Sequence, residues 1–361
     1  MVMRRRRRKN QYIFAGEQPR GRGKTFLLGL LSVLLVAVLA VFITNFTLNN
    51  QVELAPVRIT VQNLPADLEN WSILHISDLH GQEIGSGQSA IRKALSGVNY
   101  SCVVFTGDML GRDGDVQPLL DVVALLATDK PKFLIPGDED PSLYLSTAHD
   151  SLSVYAPWAE ALMEAGVTIL DEPISVLRGK STIWFVPEYL YSLDLKGMGA
   201  AYQKQLDDLN ALPSLTADQA AQKRLAEFHL ARLERIHLAM DTMTEKDIQI
   251  AVTHAPLTRE YVYTLLQWTE KKEIFSLRNA SAILAGHYAG GQWRLPWGGA
   301  LYVPELGWYP EDSLITGLDY LSGIPQYITP GLAASGYYPF QPFRLFNQPE
   351  IAYITLSSRM N

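Results

Sequence analysis

Five short apolar runs in this sequence each end on an acid or a histidine. Ser72–Ile76 is followed by Asp78 and His80, Cys102–Phe105 by Asp108, and Phe133–Ile135 by Asp138, Glu139 and Asp140. Ile248–Val252 is followed by His254, and Ala282–Leu284 by His287. A lone Asp-x-His says little by itself, and any single histidine can be a satisfied core residue. The series says more, because ligands of open α/β sheets gather beyond the carboxyl ends of strands, where such residues would converge. Convergence creates a charge problem: two carboxylates 4 Å apart repel by about 4 kcal/mol at an effective dielectric near 20. Asp78, Asp108 and Asp138 gathered with His80, His254 and His287 therefore call for a divalent cation. Mixed oxygen and nitrogen donors suit manganese, iron or zinc. A reading without metal leaves the acid and histidine cluster unexplained.

The elements that must position these residues read as strands alternating with helices, an α/β pattern. Further strand-like runs lie at Arg58–Val61, Thr182–Val186, Leu301–Val303 and Ile351–Leu356, and Val167–Leu170 with Ile174–Leu177 reads as a hairpin. Helix-like stretches lie around Ser89–Leu95, Gln117–Leu126 and Tyr155–Ala165. From about Tyr189 to Lys246 the rhythm breaks into a polar stretch rich in Ala, Gln, Lys and Glu. Thr216 with Gln219 three residues on matches a capping box at a helix start. Leu230, Leu233, His237 and Met240 recur at helical spacing, as one packed face requires. The segment reads as a helical insertion, with a cap over the site as one possible role, and His229 and His237 read as surface or packing residues.

Charge and hydropathy set the context. The 361 residues include 31 Lys/Arg and 37 Asp/Glu, a net charge of −6. Residues 1–24 carry nine Lys/Arg against Glu17 alone, which leaves the remainder at −14. So acidic a body excludes a nucleic-acid partner, since affinity there comes mainly from neutralising phosphates. A single cysteine, Cys102, excludes a disulfide framework and a cysteine-cluster zinc site; opening an apolar run, it reads as a buried, inert thiol. Residues 25–46 contain no charge, and about 20 such residues span a bilayer. The basic flank precedes the span, so residues 1–24 are expected in the cytoplasm and the body outside the cell membrane. The apolar stretch is longer than a signal-peptide core and ends without a small-residue cleavage site, so an uncleaved anchor is expected over a cleaved leader. The organisation expected is a basic tail (1–24), a transmembrane helix (25–46), a linker (47–56) and one domain (57–361).

The ordered blocks resemble those of the calcineurin-like metallophosphoesterases. They are Ser77-Asp78-Leu79-His80, Gly107-Asp108, Pro136-Gly137-Asp138-Glu139-Asp140, Thr253-His254-Ala255-Pro256 and Gly286-His287-Tyr288-Ala289-Gly290-Gly291-Gln292. Arg294-Leu295-Pro296 and Arg344-Leu345-Phe346-Asn347-Gln348-Pro349-Glu350-Ile351 are similar to the later blocks of the bacterial membrane-associated phosphodiesterase branch. The likeness runs from about residue 57 to 356, interrupted by the insertion. It implies an α/β/β/α sandwich of two mixed sheets. It also implies two divalent metals: Asp78 and His80 on the first, His254, His287 and Asp138 on the second, and Asp108 shared. Paired metals of this kind clamp a phosphate and bridge the hydroxide that attacks phosphorus. Gly290 and Gly291 are then expected to let backbone approach the site closely.

Two blocks depart from that pattern. Asp138-Glu139 stands where the family has Asn-His, and Ala289 where it has a first-metal histidine. Asp138 adds a negative charge, which tightens metal and repels a phosphate anion. Glu139 becomes the candidate catalytic acid, provided its surroundings raise its pKa. The first metal keeps Asp78, His80 and Asp108, an open and weaker site, with Glu83, Glu139, Asp140 or His149 available to complete it. The function expected is metal-dependent hydrolysis of a phosphodiester or pyrophosphate bond in a lipid-linked or envelope-derived substrate. The alternative is a degenerate, non-catalytic binding or scaffold domain. Trp293, Trp297 and Trp308 with Tyr302 and Tyr309 read as half-buried aromatics around glycine turns, with a cleft lining as the alternative. Residues 337–343 are expected to pack on the domain.

Overall fold

The structure, a computed structural model, describes residues 22–149, 152–270, 273–303, 305–334 and 344–359. Most of the basic tail and all of segment 337–343 lie outside the described residues. Helix α1 (Arg22–Asn49) is apolar and exposed over most of its length, long and apolar enough to cross a membrane. Up to Phe46 it belongs to a unit separate from the body, which begins at Thr47.

The body opens with β1 (Glu53–Thr60), β2 (Ser72–Ile76), β3 (Cys102–Phe105), β4 (Lys132–Leu134) and β5 (Thr168–Ile169). Between them lie α2 (Ser89–Ala94), α3 (Gln117–Val123) and, before β5, α4 (Pro157–Glu164). The chain then builds β6 (Ile174–Arg178), β7 (Ser181–Pro187), β8 (Ile248–Val252) and β9 (Ala280–Ala285). Helices α5 (Leu195–Asn210) and α6 (Ala217–Thr242) separate β7 from β8, and α7 (Arg259–Trp268) separates β8 from β9. Three short strands follow, β10 (Trp293–Arg294), β11 (Ala300–Val303) and β12 (Gly307–Trp308), before β13 (Gly317–Leu321), β14 (Ile324–Ile328) and β15 (Glu350–Ser357).

These strands form two six-stranded mixed sheets and one small antiparallel sheet. The first sheet runs β1-β15-β2-β3-β4-β5 and the second β13-β14-β9-β8-β7-β6. β2, β3 and β4 are parallel, as are β7, β8 and β9, so each sheet sends its carboxyl ends one way. The expected hairpin of β5 with β6 is not formed: β5 pairs with β4 in the first sheet, and β6 turns back on β7 in the second. The chain crosses between sheets at Leu170–Pro173, where two adjacent apolar runs mimic a hairpin in sequence.

Alternation along the strands sorts the core. Ile73, Cys102, Val104 and Phe133 of the first sheet meet Ile183, Phe185, Ile250 and Leu284 of the second in one buried layer, with Phe133 and Phe185 stacked at 4.6 Å. Cys102 is buried there and its thiol is pushed up to about 12 by burial. Leu74, Val103 and Phe105 face outward onto Ile91 of α2, Leu119 and Val122 of α3, and Leu162 of α4. Trp184 and Val186 likewise face Leu233, Ile236 and Ala239 of α6. The layers are therefore α/β/β/α.

The helical insertion supplies that last layer by packing on the outer face of the second sheet. Its capping box forms, Thr216 Oγ1 accepting from the Gln219 amide while Gln219 Oε1 accepts from the Thr216 amide. Its packed face is rotated from the expected one: His229, Arg232, Leu233, Ile236 and Ala239 are buried, whereas His237 is exposed. The buried guanidinium of Arg232 explains the shift. It donates to the Asp171 carbonyl and to the Tyr189 hydroxyl at 2.8 Å, pinning the helix to the crossing between sheets.

Candidate metal centre

The parallel strands deliver the acids and histidines to one end of the sandwich. Asp78 and His80 follow β2, Asp108 follows β3, Asp138 follows β4, His254 follows β8 and His287 follows β9. The turns are tied across strands: the Asp78 amide donates to the Gly107 carbonyl (3.1 Å), His80 to Asp108 (2.8 Å) and Gly286 to His254 (2.9 Å). Both Asp78 oxygens accept from the His287 amide, at 3.0 and 3.2 Å, which joins the two sheets at the site.

Four of the six side chains stand on left-handed backbone: Asp78 (φ +54°), His80 (+48°), Asp108 (+51°) and His287 (+82°). That region costs a residue with a Cβ on the order of 1–2 kcal/mol, and such strain concentrates where chemistry fixes a side-chain direction. Asp and His tolerate that region better than most residues, but their types do not require it. Gly107 (φ +92°) is required more plainly, since a Cβ there would lie 2.5 Å from the Gly137 nitrogen.

Two groups of donors can each hold an ion. Asp108, Asp138, His254 and His287 offer one atom apiece within 4.8 Å of one another, as do Asp78, His80 and Asp108. Asp108 belongs to both. The histidine chemistry tests whether a cation fits. His254 Nδ1 lies 2.7 Å from the Thr106 carbonyl oxygen, which can only accept, so the proton sits on Nδ1 and Nε2 of the neutral ring presents a lone pair. That lone pair faces Asp108 Oδ2 at 3.2 Å, Asp138 Oδ1 at 2.9 Å and His287 Nδ1 at 3.0 Å. Acceptors this close need a positive charge among them. His80 Nε2, buried and without a hydrogen-bond partner among the described residues, makes the same demand in the other group. The donor set fits divalent metal.

Titration behaviour expresses the same need. Burial opposes charge on His254, but the Asp108 and Asp138 carboxylates outweigh it and hold the imidazole well above its ordinary value. His80 is raised likewise, burial being overcome by Glu139, Asp78 and Asp108. Asp138 is driven down by the His254 and His287 hydrogen bonds. Asp78, fully buried, is pushed up by desolvation.

The remaining candidates divide. Glu139 Oε2 lies 3.1 Å from His80 Nδ1, and its Oε1 lies 3.9 Å from Arg112 Nη2, so it stands behind His80 at the rim. Asp140 is occupied elsewhere: it accepts from the Leu110 and Gly137 amides at 2.8 Å each, shaping the loop. Glu83 accepts from the Gly87 amide, and His149 contacts the Thr147 carbonyl, so neither joins a donor group. Ala289 is buried with φ +46°. Gly290 beside it is packed so closely that a Cβ would lie 2.4 Å from Pro330 Cβ.

Arg344 and Asn347, placed by sequence only in a block similar to the family's tail, form a positioning unit whose role the sequence does not give. Arg344, fully buried, donates to the carbonyls of Pro330 (2.8 Å), Ala333 (2.7 Å), Asn347 (3.1 Å) and Gln348 (3.3 Å) and to Asn347 Oδ1 (3.0 Å). Asn347 Nδ2 in turn donates to the Ala289 carbonyl at 2.6 Å. The loop that Arg344 holds reaches the site through the Leu332 and Ala333 amides, which donate to the Ser77 and Asp78 carbonyls at 3.0 and 2.7 Å. The sequence signal is that block, an arginine and an asparagine three apart ahead of an apolar strand, and it names no partner.

Residues 72–290 match the family model described as calcineurin-like phosphoesterase. Similar solved structures include the phosphopantetheinyl hydrolase of Mycobacterium tuberculosis, 16% identical, with 72% of this chain and 89% of that chain covered at a TM-score of 0.36. They also include a protein of unknown function from Aquifex aeolicus, 14% identical, with 55% and 86% covered at a TM-score of 0.24. No curated protein matches the chain.

Proposed function

Since the chain belongs to the calcineurin-like phosphoesterase family, we propose that it hydrolyses a phosphodiester bond with two divalent metal ions, manganese, iron or zinc. The observation that carries this reading is the sharing of Asp108 between two donor groups. Asp108, Asp138, His254 and His287 would hold one ion and Asp78, His80 and Asp108 the other, more weakly because Ala289 offers no donor. Bound ions would neutralise the phosphate and supply activated water.

The chain's own residues orient and select. Thr106 fixes the His254 tautomer through Nδ1, so that Nε2 faces the donor group. Glu139 does the same for His80: a carboxylate on Nδ1 directs Nε2 inward and raises its basicity. The geometry thus favours Glu139 as an orienting residue over the proton donor expected from sequence. Charge favours the diester. Asp138 and Glu139 replace the neutral pair of the family pattern by two carboxylates, so Asp78, Asp108, Asp138 and Glu139 balance two divalent ions by themselves. A monoester dianion then adds two uncompensated charges, and a diester one. The apolar helix α1 supports a membrane-anchored protein, and the basic residues before it favour a body outside the cytoplasm and with it a lipid-linked or envelope-derived substrate.

The test is a manganese titration of the full chain in detergent, following a chromogenic phosphodiester and the matching monoester, with Asp108→Asn as control. Metal-dependent diester turnover lost in the control is expected. A folded protein that binds manganese yet turns over neither ester would overturn catalysis in favour of a binding domain.

A further inference from the structure

The small sheet grows straight out of the metal-site turn. β10 begins two residues after Gly291, and a Cβ on Gly291 would lie 2.7 Å from Ala300 Cβ in β11. Register places Trp293 opposite Tyr302 and Tyr302 opposite Trp308, so the three rings stand in a row across one face, as directly paired side chains do. Their centroids are 5.8 and 5.0 Å apart, and Tyr309 follows 6.5 Å beyond Trp308. Sequence favoured half-buried packing for these rings. Trp293 and Tyr302 are indeed half-buried, but Trp308 is 62% and Tyr309 71% exposed. Tyr288, its ring 4.5 Å from that of His287, leads from the metal site toward this row. Glu305, in the turn between β11 and β12, lies within electrostatic reach of His287, Asp138, Glu139 and Tyr288.

Beyond Arg294 of β10, whose guanidinium donates to the Gly290 carbonyl at 2.7 Å, the charge of this ledge is acidic. Residues 295–318 contain Glu305, Glu311 and Asp312 and no Lys or Arg. Exposed aromatic faces are negative and attract organic cations, quaternary ammonium above all. A carboxylate beside them strengthens that attraction and repels phosphate-rich or nucleic-acid ligands. The metal site favours a substrate with little net negative charge on separate grounds, through Asp138 and Glu139. Both preferences are met by one molecule, a phosphodiester whose alcohol carries an ammonium group.

We propose that the aromatic ledge of Tyr288, Tyr302, Trp308 and Tyr309, with Glu305, binds the ammonium group of a choline- or ethanolamine-type phosphodiester whose phosphate lies at the metal centre. The inference rests on the phosphodiester reading above for the placement of the phosphate, but the cation site itself needs no metal and no turnover.

The test therefore uses the full chain, metal-free, in a maltoside detergent that contains no choline. Saturation-transfer NMR on the N-methyl protons measures choline affinity, with 3,3-dimethylbutanol as the neutral isostere. Choline should bind saturably and at least fivefold more tightly than the isostere. Trp308→Ala and Glu305→Gln, both at exposed positions, should each weaken choline at least fivefold without changing the melting temperature. Equal binding of the isostere, or choline binding untouched by both substitutions, would overturn the proposal. Glycerophosphocholine and a short-chain phosphatidylcholine below its micellar concentration then separate a soluble diester from a lipid headgroup, the source being whichever binds tenfold more tightly. With the protein loaded with zinc, which is diamagnetic, failure of both to bind better than choline would also overturn the proposal. Choline binding without diester hydrolysis would leave the ledge standing and sink the catalytic reading, so the two failures are distinct.

Discussion

Replacing Arg344 by methionine should loosen the body and weaken the metal centre together. The guanidinium serves four backbone carbonyls and one side-chain oxygen at 2.7–3.3 Å. Methionine fills much of the same space and donates nothing. A buried acceptor left without a donor costs about 1–3 kcal/mol, and four carbonyls are at stake. Part of that loss is offset, because the buried cation is itself unfavourable: burial pulls Arg344 down to about 10, which corresponds to roughly 3 kcal/mol at 1.36 kcal/mol per unit. The net expected is about 3–5 kcal/mol, the range for breaking a buried charged network. In a body of this size 1 kcal/mol moves the melting temperature by about 2 °C, so a fall of about 6–10 °C follows. Because the loop that Arg344 holds donates to the Ser77 and Asp78 carbonyls, manganese affinity should also fall by about 10–100-fold, as for other outer partners of metal ligands. Calorimetry and manganese electron-paramagnetic-resonance titration of the full chain in detergent read both effects, and Arg344→Lys should lie between. A melting temperature within 2 °C of wild type, with affinity within threefold, would refute the reasoning. A melting loss at unchanged affinity would refute the link from Arg344 to the site.

Other perturbations address the site and the core. Ala289→His should raise manganese content at limiting metal by restoring a first-metal donor; unchanged content would mean that position 289 does not face that group. Asp138→Asn should shift the ratio of monoester to diester turnover at least tenfold toward the monoester, and an unchanged ratio would remove charge as the selecting factor. His75 is fully buried and pushed down to about 3 by burial, against an ordinary value of 6.5. Between those values the unfolded chain holds a proton that the folded protein does not, so stability falls as pH drops from 6.5 toward 3, by up to about 1.4 kcal/mol per pH unit. Urea unfolding of His75→Phe should show a shallower acid limb than wild type; parallel limbs would mean that another group carries the dependence. Asp108→Asn should remove manganese binding from both donor groups, and retention of two ions by calorimetry would refute its shared role.

Much of the site is legible in sequence because it obeys a local rule. Apolar runs such as Cys102–Phe105 and Ile248–Val252 are strands, and the acid or histidine just past each arrives at the shared carboxyl end. The fold is legible for the same reason wherever a run is continuous, and it fails where pairing is long-range. Val167–Leu170 and Ile174–Leu177 look like a hairpin, yet β5 and β6 belong to different sheets, because adjacency in sequence does not specify which edge a strand joins. β13 and β14 carried no recognised signal, their apolar residues being interrupted by Asp319 and Pro325. The packed face of α6 was misread because its centre is the buried Arg232, whose partners Asp171 and Tyr189 lie far away in sequence. The left-handed backbone at Asp78, His80, Asp108 and His287 is invisible for another reason: Asp and His tolerate that region better than most residues but do not require it, and tertiary contacts impose it.

The placement of β15 between β1 and β2 sets a timetable for biosynthesis. Glu350, where β15 begins, is translated about 270 residues after Asp78, which at 5–20 residues per second is on the order of 15–50 s. Through that interval β1 and β2 have no partner on the sides that β15 will fill, and open strand edges invite pairing with other chains. Asp78, His80 and Asp108 emerge early, but Arg344 and Asn347 emerge more than 230 residues after Asp108. A metal centre there is complete only once β15 and the Arg344 loop are in place, and until then the edges of β1 and β2 stay open to pairing with other chains.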